Sequence, residues 1–412
     1  MWVDPNAAPP KPIPYAEART RLETLAAALP RPVVSRPVIE CLGRTLAESV
    51  AAPAAVPGFR HSAMDGYALP ATAAPFQTGQ VFKIGGAATA GQATPVVAAD
   101  AAMAVATGGM VPEAFGAVVP KEQVQVTGDT LALCADIAQD ANIRGADDDF
   151  AAGDPIATAG DKLDAVLLAT LCTAGVQTIN VWEPPRVAIL VTGDEIQPFG
   201  SVLKPGHRID SNGPLLASWA AASGFTFTIA GPSRDDPEQL RAQLSALAMS
   251  HELLIVTGGA SVGPADFTPR LFGELGQIAF WRVAVRPGMP VVAARIGDSL
   301  ALGLPGNPVA VVAGLFAFVG PIIRTWFGMR DPEPSPARLD RAIGKSHARL
   351  EWRRGYWYVD ATGQARVRPI DKVSSGAMQS VAQANVLIEL RAEQEHWDSD
   401  ALVPTHRIRM EI

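Results

Sequence analysis

The sequence is poor in cysteine, with three in 412 residues: Cys41, Cys134 and Cys172. They are widely spaced and form no CxxC pair, so neither a disulfide framework nor a thiolate zinc site is expected. This pattern is typical of a reducing compartment, and we expect a cytoplasmic protein.

Hydrophobic runs long enough to span a membrane are also lacking. Residues 1–5 lack the basic start and apolar run of a signal peptide. The most apolar stretch, residues 309–319, is too short to cross a bilayer. We therefore expect no membrane partner.

Dense Lys/Arg runs are absent, and the formal net charge is −7. This disfavours a general nucleic-acid-binding function, so any anionic ligand must be held locally. The chain contains neither a GxxxxGKS/T loop nor a GxGxxG fingerprint. Nucleotide hydrolysis by a P-loop and binding of a dinucleotide are therefore disfavoured.

The chain is long enough for several domains, at about 100–200 residues each. Leu22, Leu25 and Leu29 lie at helical spacing and predict a helix over residues 16–29. Short β-rich runs separated by Gly and Pro predict a β-rich domain over residues 53–150. Residues 1–52 then hold the N-terminal helix and part of a small linking domain, which residues 151–183 complete.

Residues 184–330 alternate apolar strands with helical stretches, which is typical of a parallel α/β sheet. Strands are predicted at residues 186–191, 252–256 and 299–304, and a glycine turn follows each. Because ligands bind outside the carboxyl ends of parallel strands, we expect these turns to converge on one pocket.

A proline-rich stretch at residues 331–336 predicts a stiff linker. Residues 335–412 then form a small C-terminal β-domain. The predicted fold is multidomain α/β plus β.

The glycine turns carry groups suited to anions. Asn307 and Pro308 are favoured at the N-cap and first position of a helix, so free N–H groups should face the turn at Gly306. Gly258 and Gly259 let the backbone approach a ligand closely. The alternative for Asn307 and Pro308 is a turn that only starts a helix.

Acidic residues follow two of the turns: Glu195 after the first and Asp266 after the second. Asp149 lies in an acidic run elsewhere. Beside a phosphate site such carboxylates suit Mg²⁺. Singly, each is explained more simply as a solvated surface acid.

Arg282 and Arg286 alternate with apolar residues, so we expect both on the same face of a strand. That face could neutralise an anion. An ordinary half-exposed strand face explains the pattern equally well.

Asp65 lies in a glycine-flanked loop, residues 57–68, among small side chains. A carboxylate placed in this way is a candidate for chemistry. For this loop alone, a plain Asp-Gly turn is the simpler alternative.

Six motifs follow one another along the chain: Ser62-Ala63-Met64-Asp65-Gly66-Tyr67-Ala68, Thr107-Gly108, Thr192-Gly193-Asp194-Glu195, Asp210-Ser211-Asn212, Thr257-Gly258-Gly259 to Asp266, and Leu304-Pro305-Gly306-Asn307-Pro308. Ser375-Gly376 and Ala384-Asn385 follow in the last domain. Taken together, these motifs resemble the molybdopterin molybdenumtransferases, the MoeA/gephyrin E-domain family, over essentially the whole chain.

The resemblance implies a cytosolic, elongated homodimer of four-domain subunits, with a MogA-like α/β domain at residues 184–330. It implies insertion of molybdate into adenylylated molybdopterin, with Mg²⁺-dependent release of AMP. A MogA-type adenylyltransferase and apo-molybdoenzymes are the implied protein partners. In such dimers Asp65 would work from across the dimer interface.

The resemblance also implies roles for individual residues. The implied catalytic carboxylates are Asp65, Asp149, Glu195, Asp235 and Asp266, of which Asp65, Glu195 and Asp266 are also implied metal ligands. The residues implied to bind pterin, nucleotide or anion are Thr107, Gly108, Arg144, Gly258, Gly259, Ser261, Arg282, Arg286, Pro305, Gly306, Asn307, Pro308 and Arg354.

Several positions depart from the family pattern. Arg286 and Met289 stand where the family tends to have lysines, and Ala310 stands where it has serine. Asp147 replaces a glycine, and Pro264 stands where an acidic residue is common. Such changes are typical of a divergent paralogue.

Two other functions remain open. A carrier of molybdopterin or molybdate needs the glycine turns and arginines but not a set of carboxylates around a metal. A structural scaffold needs a peptide-binding groove near the last domain. The acidic set favours the enzyme.

Overall fold

The structure, a computed structural model, describes residues 10–89, 91, 95–261, 266–371 and 376–408. Pro264 and Ser375, both singled out above, lie outside the described residues. The chain divides into two compact units. One holds residues 35–181, and the other combines residues 1–34 with residues 182–412.

The predicted N-terminal helix is confirmed as α1 (Tyr15–Ala27). Ala18, Leu22 and Ala26 are buried, one turn apart on one face. They lie in the same core as the first face of the α/β sheet described below. The helix thus belongs to the unit that contains residues 182–412.

Residues 35–181 are mainly short strands, and the β-rich character predicted for residues 53–150 is confirmed. An α-helix, α2 (Ala165–Thr173), lies near the end of this unit. The strands of this part of the chain are β1 (Val33–Pro37), β2 (Val50–Ala51), β3 (His61–Ser62), β4 (Gly66–Pro70), β5 (Val81–Ala88), β6 (Ala102–Val105), β7 (Phe115–Pro120), β8 (Val124–Thr127), β9 (Thr130–Leu133), β10 (Ile143–Arg144), β11 (Pro155–Ala157) and β12 (Thr178–Trp182). Six of them form a sheet in the order β7-β4-β6-β5-β9-β8.

The next region is the predicted α/β sheet. Its strands are β13 (Val187–Thr192), β14 (Ile196–Gln197), β15 (Arg208–Ile209), β16 (Phe227–Ser233), β17 (Leu253–Thr257), β18 (Gln277–Trp281), β19 (Val285–Arg286), β20 (Val292–Ile296) and β21 (Ser299–Leu304). Its helices are α3 (Asn212–Ala222), α4 (Pro237–Ala248), α5 (Thr268–Leu275), α6 (Pro308–Gly314) and α7 (Gly320–Phe327), and a π-helical turn (Leu315–Val319) joins the last two.

The central sheet has the order β16-β13-β17-β21-β20-β18. The three strands predicted from sequence, β13, β17 and β21, are parallel neighbours. β20 and β18 pair antiparallel at one side, so the sheet is mixed. Alternate residues of β13 enter opposite cores, with Ile189 on one face and Leu190 on the other.

Helical residues Pro308–Phe327 form the one stretch, in the described part of the chain, that is long and apolar enough to cross a membrane. It is longer than the apolar run read from the sequence. About three fifths of it, 61%, is buried inside the protein. Ile322 and Trp326 lie in the same core as α1, so the stretch packs as a core helix.

The last region is the predicted C-terminal β-domain. Strands β22, β24, β25, β26 and β28 close into a small barrel, and β19 adds to β24 as a parallel neighbour. Asp331, in the predicted linker, accepts hydrogen bonds from Arg324 (2.7 Å to Nε) and Arg19. The elements are β22 (Ser335–Leu339), β23 (Ile343–Gly344), β24 (Leu350–Val359), β25 (Ala365–Pro369), α8 (Met378–Ala382), β26 (Val386–Leu390), β27 (His396–Trp397) and β28 (Leu402–Arg407).

Candidate functional site

Asp65 lies immediately before β4, against the turn that follows β6. Its Oδ1 accepts hydrogen bonds from the backbone N and from Oγ1 of Thr107, both at 2.9 Å. Lys121 Nζ is 3.8 Å from Oδ2. The backbone N–H of Thr107 is the main cause that lowers the pKa of Asp65, and its hydroxyl adds to the effect. Asp65 is therefore an exposed carboxylate held ionised in one orientation.

Two glycines allow this arrangement. Gly108 has a φ of +77°, which lets the turn reverse directly after Thr107, and its N–H donates to Ser62 O at 2.8 Å. Gly66 runs so close to β7 that an added Cβ would lie 2.0 Å from Val119 O. Only glycine fits beside Asp65 at that position.

Arg144 and Asp149 lie in the same unit. Arg144 pairs with His61 in the short ladder of β10 and β3, next to the Asp65 loop. Its guanidinium contacts Asp148 at 3.2 Å. Asp149 is exposed, and its backbone N–H donates to Val56 O. Asp148, which sequence reasoning passed over, is thus the carboxylate in contact with Arg144.

The three glycine turns of the α/β sheet converge on one cavity of about 630 Å³, as predicted. We call it the glycine-turn cavity. Among the residues that line it are all the candidates from this region other than the arginines: Glu195, Asp235, Gly258, Gly259, Ser261, Asp266, Pro305, Gly306, Asn307 and Pro308. The carboxyl ends of β13, β17 and β21 therefore build it.

Glycine is required where the turns meet. Gly258 has a φ of +101°, and a Cβ there would lie 2.5 Å from Thr192 O. The amide of Asn212, the first residue of α3, donates to Gly306 O at 2.8 Å. Asp210 Oδ1 accepts the backbone N–H groups of Asn212 and Gly213, each at 2.9 Å. The Asp210-Ser211-Asn212 motif thus ties the start of α3 to the third turn.

Four carboxylates line the glycine-turn cavity: Glu195, Asp210, Asp235 and Asp266. Asp210 is engaged by the backbone N–H groups at the start of α3. Burial raises the pKa of Asp235, and repulsion from Asp194, Glu195 and Asp266 adds to it. Asp266 Oδ1 accepts the N–H of Ser261 at 3.0 Å.

Among the described residues, no three His, Cys, Asp or Glu side chains group closely enough to hold a metal alone. Mg²⁺ commonly needs only one or two carboxylates beside water and substrate phosphate. Glu195, Asp235 and Asp266 are hard oxygen donors, and Asp235 is repelled by the other two. They therefore fit Mg²⁺ that arrives with a phosphate-bearing ligand.

A second cavity, of about 650 Å³, adjoins the first, and Pro290, Pro305 and Asn307 line both. We call it the arginine cavity because Arg286, Arg349 and Arg354 lie in its wall. Burial lowers the pKa of Arg349 and of Arg354, and repulsion from Arg286 adds to both shifts. Crowded, desolvated guanidinium groups are suited to an anion.

The prediction that Arg282 and Arg286 share a strand face is wrong. β18 ends at Trp281, and Arg282 has a φ of +69°, outside the extended region. Its guanidinium donates to Pro10 O at 3.1 Å and lies 3.9 Å from Met289 Sδ. Arg286 lies in the separate strand β19 and lines the arginine cavity, which Arg282 does not.

Sequence reasoning missed Arg349 and Glu351 in the wall of the arginine cavity. The strand that carries Glu351 pairs with β19, where Arg286 is its register partner. No local pattern marks this pairing, because the two strands are far apart in sequence. Asp210 and Asn212 were part of a quoted motif, and that motif was the signal available for them.

Comparisons with known proteins agree with this architecture. The MoeA N-terminal region (domain I and II) matches residues 13–175, a probable molybdopterin binding domain matches residues 188–325, and the MoeA C-terminal region (domain IV) matches residues 336–404. A molybdopterin molybdenumtransferase from Synechococcus elongatus is 30% identical over 392 residues, covering 92% of this chain and 96% of that protein.

The chain belongs to the molybdopterin molybdenumtransferase family. A relative with that name from Haemophilus influenzae is 29% identical, over 86% of this chain and 89% of its own length. A crystal structure of the molybdopterin biosynthesis MoeA protein from Pyrococcus horikosii superposes with a TM-score of 0.83. It is 25% identical and covers 97% of this chain and 100% of its own. The multidomain fold, with its MogA-like α/β domain and C-terminal β-domain, is thereby confirmed, and the family acts in molybdenum cofactor biosynthesis.

Proposed function

We propose that this chain inserts molybdate into adenylylated molybdopterin, with Mg²⁺-dependent cleavage of the adenylyl phosphoanhydride and release of AMP. The observation that carries the proposal is the junction of the two cavities. A turn-built cavity with four carboxylates opens beside a cavity with three arginines, and Pro290, Pro305 and Asn307 form their common wall.

The glycine-turn cavity is proposed to hold the nucleotide and pterin phosphates. The close backbone approach at Gly258 and Gly259 allows contact with a phosphate. Glu195 and Asp266 would hold Mg²⁺ together with water and the phosphate oxygens, whose charge the ion would neutralise. Attack of water on the AMP phosphorus then forms one P–O bond and breaks the P–O bond to the bridging oxygen. This releases AMP, leaves the other phosphate on molybdopterin and gives the water protons to solvent. The residues contribute mainly by position and charge.

The arginine cavity is proposed to hold molybdate. Arg286, Arg349 and Arg354 offer planar donors to a tetrahedral oxyanion, and their mutual repulsion falls when an anion binds. Asp65, kept ionised by Thr107, is proposed as a catalytic or metal-orienting carboxylate.

We also propose a cytoplasmic homodimer. In residues 35–181, the helical turn Val38–Glu40, the loop that follows it and α2 carry exposed apolar side chains: Ile39 (76%), Leu42 (64%) and Val166 (74%). Exposed apolar surface of this kind is typical of a protein interface.

The absence of a preformed metal cluster among the described residues also suits a carrier that binds pterin without turnover. Glu195→Gln and Asp266→Asn separate the two functions. For the enzyme, both variants lose Mg²⁺-dependent AMP release while the native chain turns over. Tight pterin binding without AMP release by the native chain would select the carrier.

A further inference from the structure

The arginine cavity contains a buried carboxylate that the proposed function does not use. Arg286, Arg349 and Arg354 would attract any divalent oxyanion, sulfate included. Glu351 lies in the same wall, with a side chain only 4% exposed. A buried negative charge in an anion cavity weakens binding unless it has a role.

The hydrogen bonds of Glu351 are unequal. Its Oε1 accepts from Arg353 Nε at 2.8 Å. Its Oε2 has no hydrogen-bond donor within the described ranges, although His347 Nε2 lies 3.1 Å away. One oxygen of the carboxylate is therefore satisfied, and the other is a buried acceptor without a donor.

The groups around Glu351 are otherwise cationic or neutral. Arg349 and Arg353 flank it in sequence, and Arg286 is its register partner on β19. The positive charge of Lys345 helps to lower the pKa of His347. Burial lowers the pKa of His347, which keeps the imidazole neutral near pH 7 and leaves Oε2 without a charged partner.

We propose that Glu351 is a specificity-determining residue, which accepts a hydrogen bond from an O–H group of the bound oxyanion and thereby rejects sulfate. This inference rests on the proposed function, in which the arginine cavity holds molybdate. Molybdate is the base of a weaker acid than hydrogen sulfate. Neither anion carries a proton at neutral pH, but bound molybdate takes one from solvent more readily than bound sulfate and donates it to Oε2. Sulfate stays unprotonated and meets the repulsion of the carboxylate.

Equilibrium binding of molybdate and sulfate tests the proposal in the native chain, Glu351→Gln and the control Glu393→Gln. Glu393 is an exposed carboxylate of the same β-domain. We expect the native chain and the control to prefer molybdate. Glu351→Gln should reduce that preference by about tenfold or more, because glutamine removes the charge and can donate to sulfate. Equal affinities of the native chain for molybdate and for sulfate would overturn the proposal.

Calorimetry in buffers of different ionisation enthalpy gives a test that depends less on a variant's folding. The native chain and His347→Gln should take up a proton with each bound molybdate, and Glu351→Gln should not. Proton uptake that disappears in His347→Gln and persists in Glu351→Gln would assign the proton to His347 and overturn the proposal. If sulfate competes equally while AMP release remains molybdate-dependent, Glu351 loses its role and the proposed function stands.

Discussion

At the residue scale, the orientation of Asp65 depends on Thr107. The same local geometry occurs at Asp136, whose Oδ1 accepts the N–H and hydroxyl of Thr78 at 2.7 and 2.8 Å. In both places the backbone N–H lowers the carboxyl pKa most and the hydroxyl second. The second pair lies outside the proposed site and provides a matched control.

Thr107→Val removes the hydroxyl donor and should raise the pKa of Asp65 towards its ordinary value. Activity that requires the ionised carboxylate is lost as the pH falls through this pKa, so the acid limb of the pH–rate profile should move to higher pH. We expect AMP release at neutral pH to fall roughly tenfold, because small misplacements of a reacting group lower rates strongly.

A carboxyl-carbon NMR titration of Asp65 and a pH–rate profile measure the two effects. Thr78→Val should raise the pKa of Asp136 and leave the rate unchanged. An unaltered profile in Thr107→Val would show that Thr107 does not support catalysis.

Gly66→Ala places a methyl group against Val119 O, where backbone rather than a flexible side chain must move. We expect a loss of about 1–3 kcal/mol of stability from this overpacking. Gly344→Ala is the control, since its Cβ would meet nothing within 4 Å. Thermal unfolding of both variants measures the difference, and equal midpoints would contradict the close approach.

At the element scale, strand ends and helix starts position the cavities, and these were the best-predicted features. β21 has the predicted bounds, 299–304, and α6 begins at Pro308 after Asn307, as predicted. Gly and Pro fix such boundaries locally, so they can be read from sequence. The turns could then be placed at one sheet edge by a general rule.

The arginine cavity could not be predicted in this way. Arg282 alternated with apolar residues like a strand residue, but its positive φ interrupts the strand. Glu351 faces Arg286 only because β24 pairs with β19 across two regions of the fold. Pairing between segments so distant in sequence leaves no periodic signal in either segment.

The start of α4 beside Asp235 gives a prediction about an element. Asp236 Oδ1 caps the helix by accepting the N–H groups of Glu238 (2.9 Å) and Gln239 (3.0 Å). Asp236→Ala should lower the free energy of unfolding by about 1 kcal/mol, and Asp236→Ser should retain most of the stability. Urea unfolding compares the two variants, and equal losses would argue against a capping role.

At the scale of the whole molecule, the exposed apolar side chains Ile39, Leu42 and Val166 predict self-association. Val166→Asp should shift the protein towards monomer in sedimentation equilibrium, because a buried charge without a partner is unfavourable. Met249→Asp, at an 83% exposed position after α4, should not. A native chain that is monomeric at micromolar concentration would contradict the homodimer.

The transferase reaction is tested by measuring release of AMP from adenylylated molybdopterin in the presence of molybdate and Mg²⁺, with the native chain compared with Asp65→Ala. We expect AMP release by the native chain, its loss in the variant, and a product that reconstitutes an apo-molybdoenzyme. Tight pterin binding by the native chain without AMP release would contradict the transferase and leave the carrier.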